Sequence, residues 1–554
     1  MIITPKTTSA YYRQQGLWAD RQLHELLFEH ADLKGTETAL VDPANKQDLT
    51  GEAAQRFTFN EVADAITQLC ARLFSLGIRQ DDILLVQMPN IAELAFLYLA
   101  ASRLGAIISP VPMQYQENEL TDIIALLKPA AVIGVATFKH EDAMVCLLNA
   151  CEQENHNARK MSFGQHGKCD QLTYQGVDKT PLQQSNHYCE NRTQSGDDIF
   201  TICWTSGTEG APKGIPRSHN QWLTVGLATY QGNRIQAGET LLNPFPFINM
   251  ASIGGLFLSW LYSGGKLVLH HPLELPVFLR QLVEEEVSYT LAPPALLNGL
   301  LKNEALLAQC DFSRLRAIGS GSAPLDDWMV EGFKQRFNIE IVNHFGSNEG
   351  VCLLCGPDHT QSPHTRARLF PRAHDTLITR LIDPLSEDEI TTPGKEGELQ
   401  IKGPSVFDGY FRQPEKTLQS FTEDGYYKTG DIFAISTDDD RFYEFVGRSK
   451  DLIIRGGMNI APAELDNLIS SHPDIAEAAV AGYHCDIMGE RIAAYIVPKE
   501  GNVDKAQLSL EDIVSFLKEQ KVAVYKLPEH LEILSSLPRN PLGKVMRNQL
   551  REAR

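Results

Sequence analysis

Cysteine is scarce in this chain, with ten among 554 residues, too few for a disulfide-stapled scaffold. The tightest spacing, Cys352-Leu-Leu-Cys355, has no second pair near it, so two small apolar wall residues are expected there rather than a metal or redox site. Basic residues are outnumbered, 50 against 70 acidic, which leaves a net charge of −20. Duplex nucleic acid needs a broad basic footprint and an anionic bilayer repels an acidic surface, so neither is an expected partner. Long apolar runs are missing too. The most apolar stretch, residues 91–110, is interrupted by Glu93 and Arg103 and reads as a buried helix, not a membrane span. The N-terminal Met-Ile-Ile-Thr-Pro-Lys lacks the basic-then-apolar pattern of a leader, and the C-terminal Arg-Glu-Ala-Arg is no peroxisomal address. The cytoplasm is therefore the expected compartment. No long internal repeat is seen.

What remains is ordinary globular composition: 43% apolar and 22% charged residues, which excludes global disorder. A chain this long holds roughly three to four domain-equivalents, and a single core rarely grows past about 300 residues, so it should divide. The first half alternates helix and strand patterns: helix over 60–76, strand over 82–87, helix over 91–104, strand over 106–112. Such alternation predicts a parallel sheet covered by helices. Residues 151–197 turn polar and read as a surface excursion before a strand at 199–204, and a second αβ series runs over 220–345. Residues 377–443 are rich in strands and turns and read as a small antiparallel unit. Beyond Arg448 the pattern restarts with helices at 463–471 and 510–519 and strands at 475–482, 491–498 and 530–534, a compact α+β unit. The predicted fold is α/β: a large N-terminal domain over 1–448, made of two doubly wound αβ subdomains and a small β-rich one, then a small α+β C-terminal domain over 449–554.

The sharpest local feature is Thr205-Ser206-Gly207-Thr208-Glu209-Gly210-Ala211-Pro212-Lys213-Gly214, directly after an apolar strand. Glycines let backbone approach an anion and turn N–H groups inward, hydroxyls add donors, and Lys213 adds charge. A plain surface turn has the same composition. The Gly-Lys-Ser/Thr ending of a Walker loop is missing.

This loop closely resembles the signature loop of adenylate-forming enzymes: acyl-CoA synthetases, stand-alone aryl-acid ligases, peptide-synthetase adenylation domains and firefly luciferase. Five more stretches resemble that family's motifs, in its order and over nearly the whole chain. Gly321-Ser322-Ala323-Pro324 resembles the turn flanking adenine. Asn343-His344-Phe345-Gly346-Ser347-Asn348-Glu349 resembles the element whose Asn343 would hold the adenine amine, whose Phe345 would stack on its ring and whose Glu349 would bind Mg²⁺. Tyr427-Lys428-Thr429-Gly430-Asp431 resembles the motif whose aspartate binds the ribose hydroxyls. Gly447-Arg448-Ser449-Lys450-Asp451 resembles the ribose-binding arginine and interdomain hinge, with Lys450 at the pivot of a mobile small domain. Pro541-Leu542-Gly543-Lys544 resembles the loop bearing the adenylation lysine, and Gly456-Gly457 the wall of a pantetheine tunnel.

The resemblance implies an ATP- and Mg²⁺-dependent acid–thiol ligase: a carboxylate attacks the α-phosphate of ATP, pyrophosphate leaves, and the acyl-adenylate passes its acyl group to a thiol. Lys213, Thr205, Ser206 and Thr208 would cradle the β- and γ-phosphates, and Lys544 would bridge carboxylate and α-phosphate. The acceptor is coenzyme A or, alternatively, carrier-protein phosphopantetheine. The acid would sit beside Phe247, Ile248, Asn249, Met250, Ile253 and Val351. Isoleucine stands at 248 and 253 where dihydroxybenzoate ligases carry hydrogen-bonding residues, and a buried unpaired hydroxyl costs roughly 1–3 kcal/mol. An apolar acid is expected: alicyclic, plain aryl or medium-chain. Departures from the family pattern are Glu209 in the phosphate loop, Asn348 for a frequent Thr, and Ser322 for a Gly. The partners expected are a small carboxylic acid and coenzyme A or an acyl carrier protein, with a homodimer left open.

Overall fold

The computed structural model describes the chain except residues 206–211, 309, 375, 449–450, 452, 456–457, 461, 486–488, 500–507, 521, 523, 540–543 and 553–554. Packing divides it into two compact units, Met1–Ile378 with Lys402–Gly425, and Thr379–Ile401 with Tyr426–Arg554.

The first unit is built on two sheets. In the seven-stranded sheet the order is Lys213–Ser218, Ile199–Thr205, Ile107–Val111, Ile83–Gln87, Ala131–Val135, Arg159–Phe163 and Asp170–Leu172. All neighbours run parallel except the hairpin at one edge. The eight-stranded sheet runs Cys352–Cys355, Glu340–Gly346, Ala317–Gly321, Tyr289–Leu291, Thr240–Asn243, Lys266–Leu269, Thr38–Val41 and Arg56–Thr58, antiparallel only at its two ends. Alternating side chains of each strand serve two different cores. Leu84 and Val86 join a central cluster that also takes Leu241, Leu267 and Leu291 from the other sheet. Ile83 and Leu85 face a second cluster, and Leu242, Val268 and Ile318 a third. The helix Ala92–Leu104 belongs to the central cluster and is buried almost all round, which is why apolar residues fall on every side of it.

Residues 151–197 correct the expectation of a surface excursion. Two short parallel strands there, Arg159–Phe163 and Asp170–Leu172, extend the seven-stranded sheet, and the helix Lys179–Asn191 packs on Phe59–Ser75. Edge elements need few inward residues; Met161, Phe163, Leu172 and Cys189 supply them, so the polar majority hid the pattern.

The second unit holds antiparallel strands Glu396–Lys402, Tyr427–Ile435 and Phe442–Arg448. It also holds a sheet of Met458–Ile460, Ile453–Arg455, Gly489–Pro498 and Ile475–Cys485, with His530–Ile533 parallel to Gly489–Pro498. Helices Pro462–Ser470 and Leu510–Glu519 contribute Leu465, Ile469, Ile513 and Leu517 to its core.

Candidate active site

The hairpin at the edge of the seven-stranded sheet pairs Thr205 with Lys213 in register. Ser206, Gly207, Thr208 and Gly210 lie outside the described residues. Lys213 Nζ sits 4.8 Å from the centroid of the Tyr410 ring, close enough for a cation–π attraction. Behind it the Phe411 N–H donates to Gly214 O at 2.9 Å.

Glu349 lies in the turn between strands Glu340–Gly346 and Cys352–Cys355, closed by Ser347 N–H to Val351 O at 3.1 Å and Gly350 N–H to Ser347 O at 3.1 Å. Gly350 has φ +115°, and a Cβ there would stand 2.2 Å from Ser405 O, so glycine alone fits this turn. The Glu349 side chain is buried. The Tyr410 hydroxyl donates to its Oε1 at 3.3 Å, and the Phe407 N–H donates to its main-chain oxygen at 2.9 Å. Asn348 connects two further candidates. Its Nδ2 donates to Trp204 O at 3.2 Å, one residue before Thr205, and its Oδ1 accepts from the Met250 N–H at 2.8 Å. Thus Tyr410 joins Lys213 to Glu349, and Asn348 joins the end of the strand Ile199–Thr205 to Met250.

The adenine candidates follow from parallel pairing of Ala317–Gly321 with Glu340–Gly346, where Ser320 faces Asn343 and Gly321 faces His344. A Cβ on Gly321 would lie 2.1 Å from His344 O. Ser322 has φ +67°, the left-handed region glycine favours, so the residue that departs from the family pattern occupies a glycine conformation. Ala323 and Pro324 follow it at the surface. Asn343 Nδ2 donates to Ala367 O at 2.9 Å. His344 Nε2 lies 2.8 Å from Asn233 Oδ1, and desolvation pushes its imidazole down to about 4, so it is neutral near pH 7. Phe345 lies 5.8 Å from Phe370, ring centre to ring centre, and Gly346 is exposed.

Of the acid-pocket candidates, Phe247 and Ile253 are part of the central core. Phe247 packs on Tyr98 and Phe257, and its N–H donates to Asn90 Oδ1 at 3.0 Å. Ile248 and Val351 are buried as well. Asn249 caps the short helix that follows, its Oδ1 accepting from the Ser252 N–H at 3.2 Å. Ile253–Phe257 is a π-helical turn, a distortion found often at functional sites. Cys352 and Cys355 both sit on one strand, and burial pushes their thiols up to about 11 and about 12.

In the second unit, antiparallel register sets Asp431 opposite Arg448, and Arg448 Nε donates to Asp431 Oδ1 at 3.1 Å. Asp431 is buried, whereas Lys544 is exposed. Lys450, Gly456 and Gly457 lie outside the described residues.

Sequence reasoning missed Tyr410, Asn90 and Arg217. An arginine inside an otherwise apolar strand, at Gly214-Ile215-Pro216-Arg217, was the available signal for the last. The residues present suit a nucleotide with Mg²⁺. The Ser347 hydroxyl is buried with no hydrogen-bond partner among the described residues, and Glu349 offers the hard oxygen that Mg²⁺ takes.

Comparison with known proteins decides the family. The model of the AMP-binding enzyme matches residues 27–411, and that of the AMP-binding enzyme C-terminal domain matches 464–544. The chain belongs to the AMP-binding enzyme family. This AMP-binding enzyme is 28% identical to the medium-chain fatty-acid–CoA ligase of Escherichia coli (strain K12), over 98% of this chain and 92% of that one. It is 27% identical to enterobactin synthase component E of the same organism, over 99% and 97%. ATP-bound MatB from Rhodopseudomonas palustris shares its fold with a TM-score of 0.78 at 22% identity, covering 97% of this chain and 99% of that one. The enzyme is an acid–thiol ligase of the AMP-forming kind, working with ATP, Mg²⁺ and either coenzyme A or phosphopantetheine. No helix among its described residues is long and apolar enough to cross a membrane.

Proposed function

We propose that this enzyme condenses an apolar carboxylic acid with ATP, releases pyrophosphate, and hands the acyl group from the adenylate to coenzyme A, giving acyl-CoA and AMP. Both reacting partners are anions, so the protein's work is charge neutralisation and alignment. Lys213 and the hydroxyls of Thr205, Ser206 and Thr208 hold the β- and γ-phosphates. Asn343, His344, Phe345, Gly346, Ser347 and the Gly321–Pro324 turn hold adenine, while Asp431 and Arg448 hold the ribose. Glu349 and a nucleotide oxygen would hold Mg²⁺, which supplies charge neutralisation at the α-phosphate. Lys544 bridges the acid and the α-phosphate. Domains 1–448 and 449–554 turn about Lys450 between the two half-reactions, bringing Gly456-Gly457 to the pantetheine path. Ile248, Met250 and Val351, backed by Phe247 and Ile253, favour an apolar acid, with Asn249 shaping the segment. Ten cysteines without a disulfide fit a reducing compartment such as the cytoplasm.

The observation that most supports this reading is the meeting of Lys213 and Glu349 on Tyr410, with Asn348 tying the neighbouring strand end to Met250. It is tested by ATP–pyrophosphate exchange over benzoates, cyclohexanecarboxylate and C4–C12 acids, then by adding coenzyme A. Exchange with one apolar class and an acyl-CoA product is expected. Exchange confined to dihydroxybenzoate refutes the apolar pocket. Adenylate formed but never passed to coenzyme A favours the second reading, loading of a carrier protein, which the likeness to enterobactin synthase component E supports.

A further inference from the structure

Arg217 is fully buried, 0% exposed, on the strand that begins at Lys213. No acidic side chain lies within ion-pair distance of it among the described residues. Instead its guanidinium donates to three main-chain oxygens from three separate segments. Nη1 reaches Asn348 O at 3.0 Å, and Nη2 reaches Ser405 O at 2.7 Å and Gln221 O at 3.2 Å. Its Cζ lies 4.4 Å from the centre of the Trp222 ring, and its Nε has no hydrogen-bond partner among the described residues. Burial pulls the group down to about 10, so it is still a cation at neutral pH.

An unpaired buried cation is expensive, and a leucine or methionine would fill the same space without that penalty. The compensation lies in what the three carbonyls belong to. Asn348 O immediately precedes Glu349. Ser405 O packs against Gly350, whose missing Cβ lets it approach, and the Ser405 hydroxyl donates to Gly350 O at 2.9 Å. The contacts at Asn348 and Ser405 therefore grip the Glu349 turn from both sides. Lys213 and Arg217 are four residues apart in a regularly paired stretch of strand and so point to the same face. One strand carries the phosphate-loop lysine at its mouth and, four residues deeper, the anchor for the acid.

We infer that Arg217 is a positioning residue that holds the Glu349 carboxylate where it can bind Mg²⁺ beside the Lys213 hairpin. This rests on the proposed role of Glu349. The test uses the full chain with Arg217→Lys, Arg217→Met and Glu349→Gln. Two quantities are read: the Mg²⁺ concentration giving half-maximal ATP–pyrophosphate exchange, and the Mg²⁺ concentration at which ATP half-maximally raises the melting temperature. Groups that orient a metal ligand typically carry about 10–100-fold in metal affinity, so both midpoints should rise about tenfold or more in either Arg217 variant. The KM for the acid at saturating Mg²⁺ should stay within about twofold of wild type. Unshifted midpoints, even with a lower melting temperature, would mean that Arg217 only packs the core and would overturn the inference. If Arg217→Met does not fold, Arg217→Lys carries the test, because it keeps the cation and loses the fork. If Glu349→Gln leaves both midpoints unmoved, the metal role of Glu349 falls and this inference falls with it; if Glu349→Gln shifts them and Arg217→Lys does not, only this inference fails.

Discussion

Tyr410 does two things with one side chain: its ring faces the Lys213 ammonium and its hydroxyl donates to Glu349. A hydrogen bond to a charged group is worth roughly 1.5–3 kcal/mol and a partly buried cation–π contact about 1 kcal/mol. Tyr410→Phe is therefore expected to slow ATP–pyrophosphate exchange about tenfold, and Tyr410→Leu further, since it removes the ring as well. Equal rates for the two variants would assign the whole effect to the hydroxyl. Tyr410 carried no signal in the sequence and Arg217 only that of a charge after an apolar run, because the contacts of each are with segments distant in the chain. Glu349, Asp431 and Lys213 could be proposed from sequence because their motifs are contiguous and keep the family's order.

At the scale of elements, long periodic helices were read within a residue or two, as with Phe59–Ser75 and Leu510–Glu519. The strands and helix between 151 and 197 were not, because the strands are short and few of the side chains there are buried, Met161, Phe163, Leu172 and Cys189 among them. Burial also hides polar design inside an apolar element. The helix Ala92–Leu104 carries Glu93 in its first turn, and Lys46 Nζ reaches it at 2.7 Å and Asp42 Oδ2 at 3.0 Å, all three side chains buried. Removing the cation strands two carboxylates in the interior, which costs about 3–5 kcal/mol. Lys46→Met should lose about that much in urea unfolding of the purified chain. A loss below about 1 kcal/mol would mean the group is hydrated in solution.

For the whole molecule, pH acts through buried imidazoles. Desolvation pushes His219 down to about 3 and His271 and His344 to about 4, against an unfolded value near 6.5. Below pH 6.5 the unfolded chain takes up protons that the folded chain refuses, so stability is full above pH 6.5 and falls as pH drops toward 4. Each such group contributes up to about 1.4 kcal/mol per pH unit in that window. A melting-temperature profile should show this decline, shallower in His219→Gln; parallel profiles would contradict it. Catalysis at the same scale turns on the role proposed for Lys544. One such donor is worth about 3–4 kcal/mol of barrier, so Lys544→Ala should slow adenylation by about a hundredfold or more while thiolysis of a preformed adenylate continues. Equal losses in both half-reactions would argue against that role. The sequence alone determined the class of fold, the family and the order of its nucleotide motifs, because apolar periodicity and contiguous loops are local properties of the chain. Only the tertiary structure decided which of Phe247, Ile248, Met250 and Ile253 belong to the core. It alone showed that Ser322 takes a glycine conformation and that a buried arginine grips the Glu349 turn. Those facts depend on which segments meet in space, and a linear chain does not record its long-range contacts.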